Sequence, residues 1–87
     1  MNTLGLKLSN GDELIARVTP TGTYTHVYVV GMQQTPDGRI GMGMLPYITS
    51  NQDVEVNINP SHIVCTFELD TQIQKTFLEK TSGIALA

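Results

Sequence analysis

The chain has no tryptophan and only two phenylalanines and three tyrosines among its 87 residues. Any core must therefore come from Val, Ile, Leu and Met. A domain of this length buries only about 60% of the surface its unfolded chain exposes, so it is marginal on its own. The single cysteine, Cys65, excludes an intramolecular disulfide, and no Cys/His spacing of a zinc site replaces it. With both staples missing, self-association is the remaining way to stabilise so small a core.

Cations are scarce as well. Five Lys and Arg residues face eight acidic ones, for a formal net charge of -3. Lys7, Arg17, Arg39, Lys75 and Lys80 are scattered, without a run or a stripe. That argues against a dedicated duplex binder, which shows a basic patch. A symmetric ring would still repeat one Arg around its axis, so charge alone does not exclude nucleic acid. No apolar run is long enough to cross a bilayer, so no membrane partner is expected. Met1 to Leu8 lacks a basic start followed by a long apolar run, so no secretory signal is expected and the compartment expected is the cytoplasm. Asn59-Pro60-Ser61 resembles a glycosylation acceptor, but Pro60 disqualifies it.

What the sequence does contain is strand and turn chemistry. Leu4, Leu6 and Leu8 alternate with Gly5 and Lys7, the period of a half-buried strand. Asn10-Gly11 then predicts a type I′ hairpin turn, and Leu14, Ala16 and Val18 a second strand. Thr19-Pro20-Thr21-Gly22 reads as a loop. Tyr24 to Gln34 is rich in Val, Tyr and Thr and predicts a third strand, with Gly31 a candidate bend or bulge. Thr35-Pro36-Asp37-Gly38 is a turn, leading to a strand from Arg39 to about Leu45. Gly41 and Gly43 leave one face of that strand nearly bare. After a loop from Pro46 to Asp53, Val54, Val56 and Ile58 alternate as a further strand, and Ile63 to Glu68 is the last. The period then changes. Thr71 and Gln74 fit a capping box, Ile73, Phe77 and Ile84 fall near one helical face, and Gly83 is a natural stop. A helix is expected over about 71–81. The expected class is mainly β: one domain over residues 1–87, with a small bent antiparallel barrel over about 3–69 and a C-terminal helix. Closing the barrel would remove exposed edges.

Chemistry-bearing constellations are weak. His62 and Cys65 are three apart near a strand, which puts them on opposite faces, so a Cys/His nucleophile is not expected. Cys65 itself reads as buried and inert, on one face with Ile63 and Phe67. His26 and His62 lack the third ligand a metal needs. Asp12 and Glu13 are adjacent and diverge; Asp53 and Glu55 share a face beside a loop and read as solvated. No Gly loop lies between a strand and a helix, so no phosphate cradle is expected. Neither an enzyme nor a cofactor is expected. Met32, Met42 and Met44 suit core filling. Tyr24, His26 and Tyr28 offer rings for base stacking, with Tyr24 best placed because it borders a loop.

Leu6-Lys7-Leu8-Ser9-Asn10-Gly11-Asp12-Glu13-Leu14-Ile15-Ala16-Arg17-Val18 resembles the opening hairpin of Sm-like (LSm) proteins, with their apolar-x-apolar-x-Asn-Gly-x-x-apolar pattern. Val56-Asn57-Ile58-Asn59-Pro60-Ser61-His62-Ile63-Val64 is similar to the family's closing segment. Within the family, the chain resembles the small Sm-like proteins of marine cyanophages. The similarity spans roughly Leu4 to Leu69, and its two ends match best. The resemblance implies a strongly bent SH3-like barrel and a homo-oligomeric ring in which neighbours pair edge strands. It also implies RNA held near the pore, by loops after the second strand and before the last.

The departures are specific. Thr21-Gly22-Thr23-Tyr24-Thr25-His26 stands where the family has Asp-x-apolar-Met-Asn, and Asn59-Pro60-Ser61-His62 replaces Arg-Gly. The helix follows the barrel instead of preceding it, and Ile40 to Asp53 is longer than a minimal barrel needs. Two functions remain. One is a ring binding RNA or single-stranded DNA, in phage nucleic-acid processing within the host cytoplasm if phage-encoded. Thr23, Tyr24, His26, Asn59, Ser61 and His62 would supply stacking and hydrogen bonds, and Arg17 or Arg39 backbone charge. The other is an oligomeric protein-interaction or structural module using apolar loops such as Met44-Leu45-Pro46-Tyr47-Ile48. Acidic charge favours the second, the resemblance the first.

Overall fold

In a computed structural model, residues 2–82 of the chain are described. They form strands β1 (Thr3–Leu8), β2 (Glu13–Val18), β3 (Tyr24–Gln34) and β4 (Ile40–Pro46). A 3-10 turn (Pro60–His62), strand β5 (Ile63–Phe67) and helix α1 (Thr71–Ser82) follow. The strands make one antiparallel sheet in the order β4-β3-β2-β1-β5.

One turn geometry, used three times, sets the first four strands. The carbonyls of Leu8, Thr19 and Thr35 accept from the N–H of Gly11, Gly22 and Gly38 at 3.0, 3.0 and 2.9 Å. The N–H groups of the same three residues donate to the carbonyls of Asp12, Thr23 and Arg39 at 2.8, 2.9 and 2.7 Å. The glycines have φ of +95°, +86° and +86°, a left-handed conformation that only glycine adopts without cost. This is the three-residue hairpin loop, a tight turn closed by a left-handed glycine. The type I′ turn expected at Asn10-Gly11 is therefore corrected. Asn10 does not take a positive φ; its Oδ1 instead accepts from the Asp12 N–H at 2.9 Å.

The sheet has two apolar faces. The inner cluster holds Leu6, Leu8, Leu14, Ala16 and Val27, with Tyr24, Val29, Val56, Ile58 and Ile63 packed against it. The outer cluster holds Ile15, Met44 and Phe77, joined by Tyr28, Val30, Leu69 and Ile73. Helix α1 covers this second face. Its Phe77 is fully buried and meets Tyr28 edge-on, with ring centroids 5.9 Å apart at 89°. Burying such a side chain stabilises by about 1.5–3 kcal/mol. The helix cap is Asp70, not the expected Thr71–Gln74 box: Asp70 Oδ1 accepts from the Ile73 N–H at 2.9 Å. The expected contributions of Gly83 and Ile84 lie outside the described residues.

Three strand expectations are corrected. Val54 to Ile58 is not a strand; it touches the sheet through one bridge, Tyr24 with Val56, although Val56 and Ile58 do pack inward. The bulge lies not at Gly31, where the ladder runs regularly, but opposite Ala16. Ile15 pairs with Tyr28 and Arg17 with Thr25, so Ala16 faces both His26 and Val27. Cys65 is exposed. The pairing of β5 with β1 shifts between Lys7 and Leu8, skipping Val64. The slip separates the faces: Ile63, opposite Leu8, turns to the inner cluster, and Cys65 lies opposite Lys7. A β-carbon at Gly5 would overlap the Phe67 ring, so that glycine allows the close approach of β5 to β1.

The far half of β3 and β4 is an arm. From Gly31 to Ile40 the described side chains are exposed, and the molecule measures 41 × 29 × 25 Å. Its radius of gyration is 13.2 Å, against about 12 Å for a compact chain of this length.

Candidate nucleic-acid interface

The residues expected at the site fall into two groups. The first begins where β3 leaves its turn. Thr23 Oγ1 donates to Glu55 Oε1 at 2.6 Å and shares a hydrogen bond with Thr19 Oγ1, also at 2.6 Å. Tyr24 exchanges backbone hydrogen bonds with Val56 at 3.0 and 2.7 Å, and its half-buried ring packs on the inner cluster. The ring is thus a wall of the core. His26 occupies the bulge at φ 51°, and it is the one positive-φ residue other than glycine among those described. Such a conformation costs about 1–3 kcal/mol and persists only when the surroundings hold it. Here the His26 N–H donates to the Gln52 carbonyl at 2.8 Å, Nε2 lies 3.1 Å from Asp53 Oδ1, and Nδ1 lies 3.1 Å from Thr25 Oγ1.

The imidazole is shifted toward its neutral form. Burial lowers its pKa from the ordinary 6.5, and the Arg17 guanidinium adds to the effect. Asp53 pulls the other way through charge and hydrogen bonding without prevailing. That carboxylate is 79% exposed while the imidazole is 14% exposed, so water weakens the attraction more than the burial. The network then assigns the proton to Nε2, donating to Asp53, and leaves Nδ1 to accept from Thr25. Asp53 and Glu55, which read as merely solvated in the sequence, both reach this segment. They make its surroundings acidic, which suits a phosphate poorly.

The second group stands at the start of β5. Asn59 caps the 3-10 turn, its Oδ1 accepting from the Ser61 N–H at 3.1 Å and the Ser61 hydroxyl at 3.0 Å. The Ser9 N–H donates to the His62 carbonyl at 2.8 Å, and Ser9 Oγ lies 3.4 Å from His62 Nδ1. These bonds tie the 3-10 turn to the β1–β2 hairpin. Asn59 and His62 line a cleft of about 570 Å³. Its apolar wall is Leu8, Val27, Val56 and Ile58, the inner core seen from one end, with Ile48 beside them. Tyr47 also lines it, its hydroxyl donating to Asp12 Oδ2 at 2.9 Å. Thr23, Tyr24 and His26 are not part of its lining; the stretch from Glu55 to Ile58 runs between the two groups.

The two cations have different settings. Arg17 is half-buried, and its Nη2 donates to Thr81 Oγ1 at 2.8 Å, linking β2 to the end of α1. Its Nε is buried with no partner among the described residues. Arg39 stands at the tip of the arm, 3.5 Å from Asp37 and well exposed. The Thr35 hydroxyl and the Arg39 N–H lower the pKa of Asp37, keeping it ionised beside that guanidinium. Arg39 is therefore open to solvent, whereas Arg17 is engaged within the fold.

Sequence reasoning missed Tyr47, Ser9 and Asn57 as site residues. Tyr47 was visible only as part of an apolar loop, and its tether to Asp12 spans 35 positions. Among the described residues no three of His, Cys, Asp and Glu stand close enough to hold a metal ion, and no helix is long and apolar enough to cross a membrane. No model of a known protein family matches the chain, and no curated protein matches it.

Proposed function

We propose that the chain is an Sm-like, ring-forming module that contacts single-stranded RNA or DNA. The observation that carries the ring is the pair of unpaired sheet edges. Among the described residues β4 and β5 each have one strand neighbour, and each exposes large apolar residues: Ile40, Met42 and Leu45 on β4, Val64 on β5. Open apolar edges are templates for pairing with another chain, and joining unlike edges of successive copies generates rings. The Asn59–His62 turn, beside an open cleft, supports the ligand reading better than the Thr23–His26 segment, which Asp53 and Glu55 flank.

Light scattering at micromolar concentration should show several chains per particle; a clean monomer overturns the ring. Val64→Lys, at an exposed edge position, should reduce the mass. Cys65, on the same edge, should react faster with a thiol reagent as the protein is diluted. For the ligand, fluorescence anisotropy with short RNA and DNA oligonucleotides should show binding with shallow salt dependence, since few cations release counterions. His62→Ala should weaken it and leave the particle mass unchanged. Absence of binding at low salt overturns the nucleic-acid half of the proposal.

A second reading has its own support. Met32, Ile40 and Met42 stand exposed on the arm, and the net charge is -3. A protein partner laid along the arm accounts for both. In that case an oligomer without nucleic-acid affinity is the expected result.

A further inference from the structure

We propose that the cleft between the β1–β2 hairpin, Tyr47-Ile48 and Val56–His62 is a subsite for one uncharged heteroaromatic ring, a nucleobase entering without its phosphate. This rests on the single-strand reading above and deepens it. Leu8, Val27, Ile48, Val56 and Ile58 give an apolar body, and among the described residues no Lys, Arg, Asp or Glu lines the cleft. A phosphate or carboxylate placed there would lose water without gaining a counter-charge. A neutral ring loses little and covers apolar surface that water now touches. The volume, about 570 Å³, lies within the range of small-molecule sites and leaves room for a base with its sugar.

The rim supplies edge recognition. Asn59 commits its Oδ1 to Ser61, which leaves its amide NH₂ as a donor. His62 Nδ1 faces Ser9, which leaves Nε2. The Asn57 amide makes no hydrogen bond among the described residues and lines the same cleft. Carboxamide and imidazole groups present donors and acceptors together, the complement of a base edge. The walls are tied down beforehand: Tyr47 to Asp12, and the 3-10 turn to Ser9. Little ordering is then required on binding, which favours affinity.

The test is side-chain amide NMR of the intact chain. The four nucleosides, their 5′-monophosphates and a short unstructured oligonucleotide would be titrated separately. Nucleosides should shift the Asn57 and Asn59 amides and the His62 ring, and each monophosphate should bind more weakly than its nucleoside. Asn57→Leu, at an exposed position, should weaken nucleoside binding on the order of several-fold, the loss of one or two hydrogen bonds. Lys75→Ala, on the exposed side of α1, should leave it unchanged. Millimolar nucleosides that shift nothing, or that bind Asn57→Leu as they bind the parent, overturn the subsite. If the oligonucleotide binds while the cleft stays silent, the subsite fails and the single-strand reading stands. If nucleosides bind and oligonucleotides do not, the cleft stands as a small-molecule site and that reading fails. Shifts with N-acetyl-leucinamide and none with nucleosides would give the cleft to an apolar peptide side chain and overturn the proposal.

Discussion

Met44 and Met42 sit two residues apart on β4, on the same face, opposite Val30 and Met32 of the same neighbouring strand. Met44 is 3% exposed, Met42 is 44% exposed, and Met32 is 73% exposed. Their chemistry and pairing are alike. What separates them is α1, which lays Phe77 over Met44 and ends its cover there. The base of the β3–β4 ribbon is thus protein interior, and its outer half is an apolar arm left open by the same fold. On this outer face, burial is decided by which stretch of sheet the helix reaches.

Removing the cover tests the comparison most severely. Phe77→Ala should lower stability by about 3–5 kcal/mol, read by urea unfolding, and should expose Met44 to oxidation. An effect no larger than that of a surface substitution would place the helix elsewhere. The methionines come next. Met44→Ala should cost about 2–5 kcal/mol and Met42→Ala less than about 0.5 kcal/mol when both are measured on the dissociated chain. Equal losses would erase the distinction between base and arm. Asp70→Ala removes the cap that starts the helix and should cost about 1 kcal/mol, with Asp70→Asn recovering most of it. The smallest effect concerns pH. His26 is held below its ordinary pKa of 6.5, so the folded state binds fewer protons than the unfolded chain just below that value. Stability should therefore be complete above 6.5, fall as pH drops toward the depressed value, and level off beneath it. Urea midpoints measured from about pH 5 to about pH 8 should show this slope, and His26→Gln should flatten it.

Local chemistry made much of the fold legible in the sequence. Asn10-Gly11, Thr19 to Gly22 and Thr35 to Gly38 announce their turns because a left-handed glycine is a property of a few neighbouring residues. Ile73 and Phe77 announce α1 by period alone. Two local details differ, the turn type at Asn10-Gly11 and the helix cap at Asp70, but the larger failures are long-range. The alternation of Val54, Val56 and Ile58 is that of a strand, but a strand needs a neighbour along its length, and this stretch meets Tyr24 only once. The burial expected for Cys65 depends on a register that Val64 shifts, and no residue near Val64 signals the shift. Of the expected site, Asn59 and His62 do line a cleft, while Thr23, Tyr24 and His26 belong to a separate, acidic neighbourhood. The cleft draws on four separated stretches of chain, so no spacing within any one of them could reveal it.

The strand order has a consequence for how the molecule comes into being. β1 to β4 form a meander closed by three short turns, so each pairing costs only a small loss of chain freedom. β5 pairs instead with β1, joining Gly5 to Phe67 across most of the chain. Contacts this remote form late, because the intervening loop must close before the contact repays it. During synthesis the edge of β1 therefore stands open until β5 emerges. The β5 of any nearby copy carries the same residues and fits that edge equally well. Exchange of β5 and α1 between molecules then needs no new contact, and protein refolded at high concentration should contain intertwined pairs that dilution separates only through unfolding.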